Sequence, residues 1–191
     1  IGGVWKARAG GPGLPVMFIG DGDFIVNKEQ ELDPFPTSTE AKNTLNLSFP
    51  SPAALWETHD APTIKNDTYI SEDRGEVYIG EIKLPTVPFA AQVQRLGRAW
   101  LNDNRRARNH QGWLGPYAFH VEPLDVIDWT SERNGYINKQ FEVLATEENL
   151  LTLLTAVSIR EVDPSDYDWT PGFELPDPVT PGPPGVTGSG N

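Results

Sequence analysis

The histidines of this sequence, and the aspartates that come nearest to a metal-binding pattern, do not have the spacing of a catalytic or metal site. The three histidines are His59, His110 and His120. None of them fits an HExxH or comparable ligand pattern. Asp21 and Asp23 have the spacing with which a calcium-binding loop begins. Ile25 and Val26, however, stand where such a loop needs an oxygen ligand and a glycine. The sequence therefore predicts no catalytic residue, no metal ligand and no cofactor, and we interpret the protein as a non-enzyme.

Two other kinds of site stay open on residue type alone. A glycoside hydrolase needs only two carboxylates, and the chain has 27 Asp and Glu residues, but their spacing selects no pair. The chain also has six tryptophans, whose flat rings could stack on sugars. Packing in the core or at an interface is the favoured explanation, because Trp100 lies on the apolar stripe of a predicted helix and Trp129 ends an apolar strand. A carbohydrate-binding module of a surface-acting protein is therefore the alternative to a structural role.

A cluster of three arginines is the clearest charged feature. Arg105, Arg106 and Arg108 lie in a segment, 89–110, whose five arginines and one aspartate give a formal charge of +4. The whole chain carries −12, so the rest carries −16. We therefore predict that the cluster contacts an acidic surface of the same chain or of a neighbouring subunit. These three residues are the candidate interface.

One long helix is predicted at about 88–109, and it would position the arginines at its end. Pro88 suits the first helical position. Phe89, Val93, Leu96 and Trp100 follow at i, i+4, i+7 and i+11, which places them in a single apolar stripe. We predict that this stripe is buried, and these four residues are the candidate helix core.

Elsewhere the sequence indicates short strands, and the fold class is mainly β (α+β). Eighteen glycines and eighteen prolines divide the chain into short segments. Segments 16–19 and 24–26 predict a hairpin around a Gly/Asp turn. Further candidate strands are 45–49, 77–84, 117–121, 126–130, 141–146 and 151–161.

The chain divides into a β-rich region, 1–169, and a Pro/Gly-rich linker or tail, 170–191. Eleven of the last twenty-one residues are Pro or Gly, a composition typical of linkers. The chain begins without Met, and we interpret it as a fragment of a longer protein. It has no cysteine and no apolar run long enough to predict a membrane span. Its acidity argues against specific nucleic-acid binding, which needs basic surface.

Several segments, in order, resemble the tail-tip and hub proteins of long-tailed phages. Residues 85–96 resemble the QAQRL helix start of this family, and residues 121–129 follow its "lepGDvv" segment. Residues 159–169, IREVDPSDYDW, resemble the segment that closes the family region. Segments 4–10, 45–50 and 141–143 also match in register. One departure is Leu124, which stands where the family segment has glycine.

The likeness is strongest to the large baseplate protein of gene transfer agents and related siphophages, in its hub-forming, tip-attachment-protein-like region. It implies short-stranded β hub modules that form a homotrimer in the virion, after assembly in the bacterial cytoplasm. It also implies a hub that joins the tail tube and distal tail protein to fibres or host-contacting baseplate parts. DNA would pass through this hub without specific binding. The hydrolase-like domain that often precedes the region in this family is not found in these residues.

Overall fold

The computed structural model describes residues 6–33, 41–106 and 108–176. These residues form a mainly β protein in which ten strands accompany two α-helices, α1 (Asp67–Glu72) and α2 (Ala90–Arg105). The strands are β1 (Pro15–Gly20), β2 (Glu31–Asp33), β3 (Thr44–Pro50), β4 (Thr58–Asp60), β5 (Ile64–Lys65), β6 (Ile79–Lys83), β7 (Asn109–Leu114), β8 (Val126–Ser131), β9 (Tyr136–Asn149) and β10 (Leu154–Glu161). The predicted fold class is confirmed.

The chain forms two compact units, a division that the sequence analysis did not predict. The six-stranded unit comprises Ile1–Lys42 and Arg98–Asp168, and the four-stranded unit comprises Asn43–Gly97 and Trp169–Asn191. The helix α2 therefore begins in the four-stranded unit and ends in the six-stranded unit. Each unit has its own sheet, and each is described separately below.

The sheet of the six-stranded unit has the order β1-β8-β9-β10-β7-β2. β1 pairs with β8 in parallel, and β8, β9, β10, β7 and β2 pair antiparallel. Side chains alternate between its faces, as the geometry of strands requires. In β10 the buried row runs through Thr155, Val157 and Ile159 to Glu161. This alternation brings a carboxylate to the buried face of the sheet.

An aromatic cluster forms the centre of the core in this unit. The Trp129 ring lies 4.8 Å from that of Phe24, 4.6 Å from His110 and 5.6 Å from Phe141, measured between centroids. Trp129 and Phe141 are among the largest side chains that are fully buried. The contact between Phe24 and Trp129 joins residues far apart in sequence, so the cluster depends on the sheet order.

The predicted hairpin of 16–19 and 24–26 is wrong. β1 pairs with β8, far along the chain, and Phe24 forms an isolated bridge with Leu114. Residues 21–23 form a 3₁₀ turn, in which the Asp23 carboxylate accepts a hydrogen bond from the Gly20 N–H at 2.7 Å. The Gly/Asp segment therefore redirects the chain instead of pairing its flanks. The candidate strand 117–121 is also wrong, because Pro116–His120 is a 3₁₀ helix.

The four-stranded unit is built around β3. This strand pairs antiparallel with β4 and β5 and in parallel with β6. Leu45, Leu47 and Phe49 alternate along β3 and are buried. Helix α2 comes close to Leu47, because a Cβ added at Gly97 would lie 2.4 Å from the Leu47 Cδ1. A glycine in the helix therefore permits a close approach to the sheet that a larger residue would obstruct.

The structure shortens the predicted helix and changes its buried face. The α-helix spans Ala90–Arg105 instead of about 88–109, because the chain turns after Arg105 and enters β7 at Asn109. Its buried residues are Val93, Gln94, Gly97 and Leu101. At 100° of rotation per residue, the centre of this buried face is turned about a quarter turn around the helix axis from the centre of the predicted apolar stripe.

Three of the four predicted helix-core residues therefore lie outside the core. Val93 is buried, but Phe89, Leu96 and Trp100 are 59%, 48% and 39% exposed. Gln94 is buried in their place, and its side-chain amide donates to the Leu175 carbonyl at 2.9 Å and accepts from the Leu175 N–H at 2.8 Å. A glycine and a glutamine, which no apolar pattern selects, thus occupy the buried face.

The hydrogen bonds between Gln94 and Leu175 also show that the start of the predicted linker, 170–176, has defined contacts. Pro171–Phe173 forms a 3₁₀ turn, and the Phe173 ring lies 6.1 Å from that of Trp169. Residues 169–176 thus belong to the four-stranded unit. Residues 177–191 of the predicted linker lie outside the described residues.

Candidate functional site

The arginine cluster contacts carboxylates of its own chain, within the six-stranded unit. The Arg106 guanidinium donates two hydrogen bonds to the Asp166 carboxylate, from Nε at 2.8 Å and from a terminal nitrogen at 2.9 Å. It also lies 3.1 Å from Asp163 and 3.6 Å from Glu161. Two parallel hydrogen bonds of this kind are a strong form of ion pair. The bonds to Asp166 raise the pKa of Arg106 despite its partial burial.

The segment EVDPSDY is shaped to hold this arginine. Asp163 caps the 3₁₀ helix Pro164–Tyr167, because its carboxylate accepts from the Ser165 N–H at 3.0 Å and the Ser165 hydroxyl at 2.7 Å. This turn buries Asp166, which is 4% exposed. Burial opposes ionisation of Asp163, but the bonds from Ser165 and the charge of Arg106 outweigh it and lower the pKa. The motif thus fixes how the chain leaves β10.

Glu161 connects the third arginine to the same cluster. Its carboxylate lies 2.7 Å from the Lys139 ammonium and 3.6 Å from the Arg108 guanidinium. Arg108 also lies over the Tyr136 ring, 5.6 Å from its centroid. The signal for Glu161 was present in the sequence, because the alternation along β10 predicts that it faces inward.

The structure therefore places the candidate interface residues as follows. Arg106 and Arg108 pair with acidic residues of the same chain, one of the two partners predicted for them. Arg105 ends α2 and is half-buried. A triple charge reversal at these residues would thus break contacts inside the six-stranded unit, and its effect would not report on subunit contacts alone.

A buried histidine lies beside the aromatic cluster. His110 is 5% exposed, and its Nε2 lies 3.1 Å from the Tyr136 hydroxyl. Burial, together with the charge of Arg108, lowers the pKa of His110 to about 4. The ring is therefore neutral near pH 7 and acts as a packing group with one polar contact. Within 6–33, 41–106 and 108–176, no group of three or more His, Asp or Glu residues is arranged to hold a metal ion.

Large apolar side chains are exposed at three ordered places. Leu14 lies just before the edge strand β1, and Val16 and Phe18 follow at alternate positions within it. A second set lies on α2 and just before it, and comprises the exposed residues Phe89, Leu96 and Trp100. A third set, Leu150, Leu151 and Leu153, lies at the turn between β9 and β10. Contiguous exposed apolar surface is typical of contacts with other molecules.

A strained loop exposes a tryptophan in the four-stranded unit. Leu55 and Trp56 both have positive φ, 55° and 69°, and both side chains are exposed. Backbone bonds fix the loop, among them Trp56 N–H to the Ser51 carbonyl at 2.9 Å. Positive φ costs a residue with a side chain roughly 1–2 kcal/mol.

In the six-stranded unit, a groove of about 510 Å³ beside Trp113 is lined by Glu29, Glu31 and Glu147.

Leu124, the departure from the family segment, retains a glycine-like backbone. Its φ is 74°, in the left-handed region that favours glycine. Its N–H donates to the Val143 carbonyl at 2.8 Å, and the Val143 N–H donates to the Asp125 carbonyl at 2.8 Å. Asp125 also accepts from the Glu122 N–H at 2.9 Å through its carboxylate. A hydrogen-bonded turn thus forms here with leucine in the strained position.

These observations define a mainly β protein with internally paired charges and ordered, exposed apolar surfaces. No helix within the described part of the chain is long and apolar enough to cross a membrane.

Comparison with known families identifies the class. The family described as "Putative phage tail protein" matches residues 2–146. Because this match covers more than half of the 191 residues, the chain belongs to that family of phage tail proteins and is a structural component of a phage-like virion tail. No curated protein sequence matches the chain significantly.

Solved structures show the same fold. A chain of the "Virion of native gene transfer agent (GTA) particle" is similar with a TM-score of 0.63 and 16% identity, over 82% of this chain and 34% of that one. The tail protein from Neisseria meningitidis MC58 is similar with a TM-score of 0.50 and 12% identity, over 80% of this chain and 47% of that one. The chain thus spans less than half the length of each.

Proposed function

We propose that this chain forms part of the hub of a phage-like tail tip or baseplate. In this role it joins the tail tube and the distal tail protein to fibres or other host-contacting parts. The hub is a homotrimer that is assembled in the bacterial cytoplasm, and the chain has no catalytic activity. Membership of a tail-protein family and the fold shared with a chain of a gene transfer agent virion support the proposal.

The observation that carries the proposal is the set of exposed apolar side chains on ordered elements. Phe18 in β1, Leu96 in α2 and Leu151 in the β9–β10 turn are 72%, 48% and 97% exposed. A hub subunit contacts several neighbours at once and therefore needs several such surfaces. Because Arg106 and Arg108 already pair with carboxylates of the same chain, the exposed apolar surfaces are the proposed means of attachment.

The acidity of the chain suits a hub through which DNA passes. The formal net charge is −12, and Glu29, Glu31 and Glu147 line one groove of the six-stranded unit. Like charge at the wall of a conduit repels the phosphate backbone and prevents adhesion. We therefore propose passage of DNA without specific binding.

The proposal is tested with the full-length protein. Its mass in solution should correspond to three copies, and it should co-purify with the distal tail protein of the same particle. Deleting its gene should yield tails that lack fibres. A monomeric protein, or fibre-bearing tails without it, would contradict the proposed role. Incubation with peptidoglycan should release no soluble fragments, and turnover would contradict the non-enzymatic part.

A carbohydrate-binding module is the second candidate, and the exposed Trp56 is the observation that favours it. Its ring projects from a loop fixed by backbone hydrogen bonds, a geometry that suits stacking on a sugar. Trp113 suits this role less, because the Lys28 ammonium lies 5.2 Å from its ring centroid. Binding to host polysaccharide that is lost in Trp56→Ala but kept in the matched Leu55→Ala would support this candidate. Equal binding by both variants would exclude Trp56 as the sugar platform.

A further inference from the structure

The turn between β9 and β10 is the end of an arm that extends beyond the neighbouring strands. The last pair between β8 and β9 is Val126 with Glu142, whereas β9 continues to Asn149. On the other side, β7 stops at Leu114, opposite Thr155. The register between β9 and β10 shifts between Ser158 and Ile159, at the base of the arm. Residues 149–154, here called the arm tip, therefore pair with neither β7 nor β8.

The arm tip is apolar, exposed and held in one conformation. Leu150, Leu151 and Leu153 are 73%, 97% and 51% exposed. The Asn149 side-chain oxygen accepts from the Leu151 N–H and the Thr152 N–H, both at 3.1 Å. Leu153 has a φ of 56°, which is unfavourable for leucine. An ordered tip loses little conformational entropy when it binds.

A second exposed apolar surface lies on the helix. Phe89, immediately before α2, and Leu96 and Trp100 within it lie on one side, here called the helix stripe. At 1.5 Å per residue the stripe is about 16 Å long. Both the arm tip and the helix stripe are exposed in the single chain.

The charges beside the two surfaces are of opposite sign. Glu147 and Glu148 are exposed in β9, immediately before the arm tip. Arg95 is exposed in α2, immediately before Leu96 of the helix stripe. Opposite charges at the rim of an apolar contact fix its orientation and favour the correct partner.

We propose that the arm tip of one copy docks on the helix stripe of a second copy of this chain. The inference rests on the proposed trimeric hub and names the contact that holds it together. One chain carries both halves of a complementary pair, so each subunit gives its arm to the next and receives one from the previous subunit. Such a head-to-tail contact forms a closed ring when three copies complete the circle.

Cysteine pairing tests the contact directly, because none of the 191 residues is cysteine. In full-length protein freed of any other cysteines, Leu151→Cys with Leu96→Cys should give covalent dimers and trimers on mild oxidation. Leu151→Cys with Val26→Cys is the matched control, because Val26 is 90% exposed but lies in neither surface. The control pair should remain uncrosslinked. Equal crosslinking of both pairs would overturn the proposal.

A charge exchange gives a second, independent test. Glu147→Arg with Glu148→Arg should weaken trimer formation at least tenfold in concentration, and adding Arg95→Glu should restore most of it. Leu151→Asp should weaken the trimer similarly, whereas Val26→Asp should not. A trimeric protein that is unaffected by these changes would overturn the contact and leave the proposed hub standing. A wild-type protein that is monomeric at every concentration would overturn both.

Discussion

The two units differ in how they satisfy the polar groups that they bury. In the six-stranded unit, charged residues do this: Asp166 holds Arg106, and Arg8 donates to the buried Glu142 at 2.8 Å. In the four-stranded unit, Asn43 has this role, donating to the Asp73 carboxylate at 2.7 Å and to the Glu76 carbonyl at 2.8 Å, and accepting from the Tyr78 N–H at 2.9 Å.

This difference has consequences for stability. Paired charges join segments that are distant in sequence, and their contribution depends on pH and salt. The Asn43 amide joins segments that are closer in sequence, and the amide itself does not titrate. We therefore expect the six-stranded unit to respond to solution conditions more strongly than the four-stranded unit. Hydrogen exchange measured by mass spectrometry, peptide by peptide, can follow each unit separately.

The largest expected effect is the loss of the aromatic centre of the six-stranded unit. Trp129→Ala should lower the free energy of unfolding by about 3–5 kcal/mol, because Trp129 is buried among Phe24, His110 and Phe141. The matched control is Trp100→Ala, which should cost at most about 1 kcal/mol, because that side chain is exposed on the helix stripe. Urea denaturation checks both values, and equal costs would contradict the assignment of Trp129 to the core and Trp100 to the surface.

Removal of the central arginine should have the next largest effect. Arg106→Ala leaves the buried Asp166 without its bidentate partner, which should cost about 2–4 kcal/mol after allowance for the partial exposure of Arg106. The loss should appear as faster exchange in β10 and in the end of α2. Part of it should disappear at about 1 M salt, which screens the contribution of exposed partners such as Asp163.

The corresponding change in the other unit is Asn43→Ala, which sharpens the comparison. It removes the hydrogen bonds of a fully buried amide, among them those with Asp73, Glu76 and Tyr78, and should cost about 2–3 kcal/mol. This cost should depend less on salt than that of Arg106→Ala. The same salt dependence for both variants would contradict the contrast between the units.

A fourth prediction concerns pH. The pKa of His110 is about 4 in the folded protein against 6.5 ordinarily, so the unfolded chain binds a proton first as the pH falls. Its contribution to stability is therefore fully present above about pH 6.5 and is lost progressively towards pH 4, by roughly 2–3 kcal/mol. His110→Gln should flatten the pH dependence of unfolding in this range. A wild-type curve that is identical in shape to that of the variant would show that His110 does not contribute.

The smallest expected effect is a gain. Leu124→Gly should stabilise the protein by about 0.5–1 kcal/mol, because it relieves a positive φ of 74° at the cost of greater freedom in the unfolded chain. Arg74→Gly, at a φ of 60° in the four-stranded unit, should give a gain of similar size. Thermal unfolding checks both. A loss of stability in Leu124→Gly would show that packing of the half-buried leucine side chain contributes more free energy than the strain of its backbone costs.

Local patterns predicted much of the fold, and long-range pairing explains what they missed. Proline and glycine spacing predicts short strands, and the apolar period predicts one long helix near its observed position. The parallel pairing of β1 with β8 joins segments more than 100 residues apart, and no local pattern encodes it. The buried face of α2 escaped prediction because Gly97 is selected by its close approach to Leu47, and Gln94 by its bond to Leu175.

The contacts of the candidate interface were predicted only in part, because local patterns do not specify partners that are distant in sequence. The charge of 89–110 correctly indicated an acidic partner for Arg106 and Arg108, but charge alone does not say which carboxylate lies nearby. The alternation along β10 predicts that Glu161 faces inward. The turn that brings Asp166 to Arg106 depends on the Asp163 cap and is a local feature of the DPSD segment. The apolar period placed Phe89, Leu96 and Trp100 on one face of the helix, but the prediction that this face is buried is wrong for all three.

The proposed hub and the proposed contact between copies both require a particular place for this chain in the tail. Electron cryomicroscopy of intact particles that carry the full-length protein tests this most directly. We expect three copies of the two-unit fold in a ring at the distal end of the tail tube, with Leu151 of each copy within contact distance of Leu96 of the next. Density for the chain elsewhere in the particle, or a ring without threefold symmetry, would contradict the account.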